Sequence, residues 1–227
     1  MTIESEIEAL ALAAKTASVA LRNVPRAQKD AALLAIARRL RLDAPALLAA
    51  NALDLKAAEK DLSKAMFDRL RLDTQRVEAM AQGVEQVAAL PDPVGVTLNQ
   101  NTRPNGLRLE KVRVPLGVVG IVYESRPNVT VDAASLCLKS GNACVLRGGA
   151  ESVRSNVALG AVLRAGLVEA GLPEACVAVV DTPDRAAVAA LLKLDRFVDV
   201  VIPRGGRSLI RYVVENSSIP VIRHGLG

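Results

Sequence analysis

The sequence predicts an α/β fold in which a parallel sheet with helices on both faces is preceded by an N-terminal helical region and a β-hairpin. Three observations predict it. From Gly117 onward, near-continuous apolar runs alternate with amphipathic segments, the pattern of strands buried on both faces and joined by crossover helices. Up to about Leu90, apolar residues recur at three- and four-residue spacing. Between these regions, alternating residues flank Asn105-Gly106, a dipeptide suited to a tight hairpin turn. The chain thus divides into residues 1–90, helical and packing on the sheet; 91–115, hairpin and linker; and 116–227, the sheet core.

The elements follow in order. Four helices are read in the first region, the first over roughly Ile3 to Arg22 and the second after Pro25. Start signals stand at Asp43 (followed by Pro45), Ser63 and Thr74. The stretch "LPDPVGVTLNQNTRPNGLRLEKVRVPLG" ends the helices with Pro and Gly and forms the hairpin. Then come the strand "GVVGIVY", the helix "NVTVDAASLCLKSG", the strand "ACVLRG" and the helix "SVRSNVALGAVLRAGLVEAG". The strand "CVAVVD", the helix "DRAAVAALLKL", the strand "FVDVVIPR", the helix "RSLIRYVVENS" and a short strand "PVIR" complete the alternation.

Composition narrows the function. With 51% hydrophobic residues in 227, a sizeable core is available, and with no Trp, two Tyr and two Phe it is packed by aliphatic side chains. So few aromatic rings leave little on which bases could stack. The net charge of +5 is spread along the chain. Its densest cluster, Arg38, Arg39 and Arg41, falls near a helix end, where cations complement the dipole; nucleic acid is not expected as a partner, and an anionic small molecule suits the charge. Cys137, Cys144 and Cys176 have wide spacing and no CxxC, against both a disulfide framework and a zinc site, so no metal is expected and a reducing cytoplasm is the simplest home. No signal-peptide pattern opens the chain and no apolar run suits a membrane span, so it reads as soluble and unprocessed.

In an open parallel sheet, ligands collect at the carboxyl ends of the strands. The polar clusters "YESRPN", "RGGAES", "DTPD" and "PRGGRS" all fall at such ends. Glycine pairs before a helix let backbone approach a phosphate, and Arg147 and Arg204 each add a planar cation. Two such turns suggest an extended anion such as a dinucleotide; the plainer reading is that the glycines make tight strand-to-helix turns. The GxGxxG fingerprint is missing, so a nucleotide would be held in another way.

The segment "VPLGVVGIVYESRPNVTVDAASLCLKSGNACVLRGGAES", with "VIPRGG", "ENSSIPVI" and "NALDLKAAEKDLSKAMFDRLRLD", resembles the gamma-glutamyl phosphate reductases, or glutamate-5-semialdehyde dehydrogenases, of the aldehyde dehydrogenase superfamily. The resemblance covers the N-terminal part of that family. It implies an aldehyde-dehydrogenase-like, Rossmann-like cofactor domain and NADPH-dependent reduction of L-glutamate 5-phosphate to the semialdehyde and phosphate, a step of proline biosynthesis. Asn128 would supply the amide donor of the oxyanion hole, or cap the helix beginning at Val129. Arg147, where the superfamily usually has lysine, would suit the 2'-phosphate of NADPH. Ser125, Gly148, Gly149, Pro203, Arg204, Gly205 and Gly206 would line the rest of the cofactor groove. Arg126 is a candidate cation for the acyl phosphate or for the cofactor, or for a salt bridge to Glu124 or a neighbour. The full family member is expected to form homo-oligomers through the hairpin near Asn105.

The superfamily's chemistry needs a cysteine thiolate. All three cysteines here read as core residues, on an apolar helix face or in buried strands. His224, the only histidine, is a poor general base at a chain end. The sequence is therefore expected to hold the cofactor half of a truncated enzyme whose catalytic cysteine domain is absent, inactive by itself. The other readings are a non-catalytic nucleotide-binding fragment and, weakest, a basic interaction protein.

Overall fold

The computed structural model describes residues 2–59 and 62–223. Five helices, not four, occupy the first region among the described residues: α1 (Ile3–Leu21), α2 (Arg26–Leu42), α3 (Ala44–Ala58), α4 (Lys64–Leu70) and α5 (Thr74–Ala89). The extra helix comes from local capping. The Ser63 hydroxyl accepts the Met66 N–H to start α4; Arg71 then turns extended, and Asp73, one residue before the expected Thr74 signal, accepts the Arg76 N–H to start α5.

The hairpin forms as the dipeptide predicted. Strands β1 (Thr97–Thr102) and β2 (Arg108–Val112) pair antiparallel. Gly106 takes φ of 84°, donates to the Arg103 carbonyl, and Asn105 Oδ1 accepts the Leu107 N–H. Every residue of both strands is exposed, so the hairpin projects from the body.

The remaining elements are β3 (Val118–Tyr123), α6 (Pro127–Lys139), β4 (Ala143–Arg147), α7 (Val153–Glu169), β5 (Val177–Val179), α8 (Ala186–Leu191), β6 (Val200–Arg204) and α9 (Arg207–Asn216). The sheet is parallel in the order β5-β4-β3-β6. The segment expected as a final strand makes a single parallel bridge, Val221 to Val201. From β3 the chain winds outward through β4 to β5, then returns to lay β6 on the other side of β3. The winding therefore reverses between β3 and β6, where an open sheet leaves a crevice.

Period-two alternation along β3 divides the core. Val119, Ile121 and Tyr123 join a cluster with Ile36, Leu40 and Leu163, while Val118 and Val122 join one with Ile7, Ala11 and Leu191. Helices α2, α5, α6 and α7 cover the first face; α1 and α8 contribute to the second. The N-terminal helices thus cover both sides of the sheet.

An ion pair pins the end of α5 to α2. Lys29, 2% exposed, reaches Asp92 at 2.6 Å. Burial alone would raise the Asp92 pKa, but the Lys29 ammonium and the Val94 N–H outweigh it and hold the carboxyl below its usual range. Because the folded value is depressed, the stabilisation is present above the unfolded value, near ~3.9, and is lost as pH falls through the folded one. Asp92→Asn is expected to cost about 2 kcal/mol in urea unfolding at neutral pH, below the usual range for a broken buried pair because Asn keeps an acceptor. The cost should shrink as pH drops toward the folded pKa; a pH-independent difference would show that the pair does not carry it.

Candidate functional site

The turn leaving β3 sends each side chain to a different place. Tyr123 points inward, its hydroxyl 2.7 Å from Thr130 Oγ1. Thr130 in turn donates to Asn156 Oδ1, and the Asn156 amide donates to Ser152 Oγ. Burial pushes the Tyr123 pKa up, so it stays a neutral phenol in a chain of hydrogen bonds tying α6 to the start of α7. Glu124 Oε1 accepts the Gly206 N–H at 2.7 Å, and the Ser125 hydroxyl donates to Glu151. Pro127 opens α6, whose N-cap is Arg126, so Asn128 is not the cap. Its Nδ2 instead donates to Asp132 Oδ2 at 3.0 Å. Arg126 forms no ion pair with Glu124, whose carboxylate faces Gly206.

The residues expected to line one groove divide between two clefts that share Glu124 as a wall. The first, about 520 Å³, is lined by Ser125, Arg147, Gly149, Glu151, Arg185 and Tyr212, among others. The second, about 680 Å³, takes in Arg126, Asn128, Arg204, Gly205 and Gly206. Pro203 is buried in β6 opposite Val122. The glycines at the two Arg-Gly-Gly turns are bare for a reason the sequence did not disclose. None of the four has a positive φ. A Cβ on Gly148 would meet Asn156 and the Tyr123 ring, one on Gly149 would meet Ser125 and Glu151, and one on Gly205 would stand 2.7 Å from the Glu124 carboxyl carbon. They make room for protein side chains around the crevice.

Arg147 is 7% exposed and largely committed: its guanidinium donates to the carbonyls of Gly148, Pro183 and Asp184, fixing the loop before α8. Its Nε is buried without a partner, and burial pulls its pKa below the ordinary arginine range. Arg185, on the same cleft and exposed, was not singled out from sequence, although it stands directly after the strand-end cluster "DTPD". Two guanidinium groups beside the apolar walls of Val188, Leu209 and Tyr212 suit an anion with a flat apolar part, so these residues fit a phosphorylated nucleotide.

The thiols are not placed for nucleophilic work. Cys144 and Cys176 are fully buried and Cys137 is 7% exposed at the wall of the second cleft. The neighbouring Cys137 and burial push Cys144 well above the ordinary thiol range; burial pushes Cys176 up to about 11. His224 lies outside the described residues. Among the described residues, no group of His, Cys, Asp and Glu could hold a metal ion, and no helix is long and apolar enough to cross a membrane.

A parallel sheet covered on both faces, with clefts at its switch point, defines an open, doubly wound α/β protein. The chain belongs to the aldehyde dehydrogenase family, whose model matches residues 2–226. It is 51% identical over 228 residues to a gamma-glutamyl phosphate reductase of Geotalea daltonii, covering 100% of this chain and 54% of that protein. A relative of the same name from Paramagnetospirillum magneticum is 54% identical over 212 residues, covering 93% of this chain and 50% of the relative. The crystal structure of gamma-glutamyl phosphate reductase from Thermotoga maritima superposes with a TM-score of 0.95 at 39% identity, covering 98% of this chain and 54% of that one. The chain therefore spans about half the length of the relatives it matches.

Proposed function

We propose that this chain forms the NADPH-binding half of a cytoplasmic enzyme that reduces L-glutamate 5-phosphate to L-glutamate 5-semialdehyde and phosphate. The observation that carries the reading is the 51% identity, over the whole chain, to a protein named for that reaction. A bound nicotinamide cofactor would supply the hydride. Ser125, Arg147 and Gly149 would hold its adenosine end in the first cleft, and Arg204, Gly205 and Gly206 would border the passage toward the second. Asn128 would offer an amide hydrogen to the carbonyl oxygen as negative charge develops there, an interaction worth about 3 kcal/mol in comparable sites. Residues 1–90, 91–115 and 116–227 are proposed as helical region, hairpin arm and cofactor core, with the exposed hairpin as the arm of a homo-oligomer.

The alternative is a nucleotide-binding fragment without catalysis, and the buried thiols favour it for the chain alone. A chimera joining this chain to the second half of a curated relative separates the two. NADPH oxidation on adding L-glutamate 5-phosphate supports the reductase; a folded chimera without turnover supports the fragment. Cofactor choice is tested on the chain itself by fluorescence titration. NADPH is expected to bind about tenfold tighter than NADH. Arg147→Lys, which keeps a cation but not the fork that ties three carbonyls, should erase much of that preference. Equal preference in wild type and variant, or tighter NADH binding, would count against a 2'-phosphate seat at Arg147.

A further inference from the structure

The second cleft holds charges that the fold leaves unmatched. Arg69, Arg126 and Asp132 line both it and an adjoining hollow of about 380 Å³. None of the three forms an ion pair among the described residues, whereas the neighbouring Arg71 and Arg76 pair with Asp73 and Asp68. The one side-chain partner of Asp132 is the Asn128 amide, which leaves lone pairs on both carboxylate oxygens. Asp132 is open to solvent on one side, and partial desolvation by the cleft wall still pushes its pKa up against the pull of that hydrogen bond.

We propose that this cleft recognises the amino-acid end of the substrate, with Asp132 taking the α-ammonium, Arg69 the α-carboxylate and Arg126 the acyl phosphate. The inference rests on the reductase reading and adds the residues that select an α-amino acid. Its basis is spacing and charge. Asn128 and Asp132 share one face of α6 with Nδ2 3.0 Å from Oδ2, so a group anchored on the second amide N–H has the two carboxylate oxygens within roughly 3–5 Å of its anchor. In a γ-acyl phosphate of glutamate, three carbon–carbon bonds of ~1.5 Å and one carbon–nitrogen bond separate the reacting carbonyl from the ammonium, about 5 Å extended. A carbonyl held at Asn128 thus places the ammonium beside Asp132. Arg69 approaches from the end of α4, on the opposite wall. Ala133 and Leu136 on the next turn supply apolar contact for the methylenes. The cations, with Arg204, match a ligand carrying a phosphate and a carboxylate; of the two acids on the cleft, Glu124 already accepts the Gly206 N–H, which leaves Asp132 for the single ammonium.

The test is calorimetric titration of this chain with the phosphonate isostere of L-glutamate 5-phosphate, in which one methylene replaces the bridging oxygen and the carbonyl is kept, and with its desamino counterpart. The L-isostere is expected to bind about tenfold tighter than the desamino compound. Asp132→Asn should erase that advantage while leaving desamino binding unchanged, and Arg69→Gln should weaken both ligands. Equal binding of the two ligands to wild type, equal weakening of both by Asp132→Asn, or no saturable binding at millimolar concentration overturns the proposal. NADPH titration of the same samples is read separately. Cofactor binding without amine discrimination sinks this inference alone, and amine discrimination without cofactor binding sinks the reductase reading alone.

Discussion

Supplied with NADPH and L-glutamate 5-phosphate, this chain by itself is expected to oxidise no NADPH above background. Thioester-forming reduction needs a thiolate in reach of the acyl carbon. Cys144 sits inside β4 and Cys176 at the entrance to β5, with no exposed surface. At neutral pH, a thiol pushed to about 11 is thiolate in roughly one molecule in ten thousand, and Cys144 is held well above its ordinary range as well. Cys137 touches the second cleft but is 7% exposed and lies against Cys144 on the core face of α6. A chromogenic disulfide reagent should therefore label the folded chain slowly and release its full colour only in denaturant. Measurable turnover, sensitive to alkylation of any of these cysteines, would sink the claim that this half carries no nucleophile.

The parts of this protein legible in the sequence are those set by local pattern. Buried parallel strands read as apolar runs because both faces of each are covered, and Asn105-Gly106 marked its turn because a left-handed φ falls on glycine. Ser63 and Thr74 both carry start signals in the sequence, but the 7-residue helix between them is too short to show a helical period of its own. The site was legible as a set of strand-end clusters but not as two clefts. Their shared wall depends on Glu124 meeting a backbone N–H 82 residues away, and no pattern along the chain announces such a bond. The same holds for Arg147: its residue type suggested a phosphate, while the carbonyls of Pro183 and Asp184 that engage it come from a loop following another strand. Asp132 drew no notice, because an acid four residues after an asparagine on a helix is ordinary until the wall around it is seen to lack a paired cation.

The largest stability loss is expected at a residue far from either cleft. Asp54, 1% exposed on α3, accepts the backbone N–H and hydroxyl of Ser155 with one oxygen, and the Arg154 N–H and guanidinium with the other. It therefore caps α7 from another helix, a task the α7 N-cap residue Ser152 does not perform. The Ser155 hydroxyl also accepts from Asn51, whose side chain bonds the backbone of Leu70 and Leu72, so one carboxylate holds α3, α4 and α7 together. Asp54→Ala strands buried donors at a helix start and is expected to cost about 3 kcal/mol in urea unfolding with an unchanged slope. Asp54→Asn should cost less, since its carbonyl oxygen can still cap Ser155, although its amide then sets a donor against the Arg154 N–H. Ser152 and Asn156, in the turn and helix that Asp54 secures, stand behind Tyr123 and Gly148 at the first cleft, so nucleotide affinity should fall along with stability. A loss under about 1 kcal/mol for the alanine variant would mean that water replaces the carboxylate at that helix end.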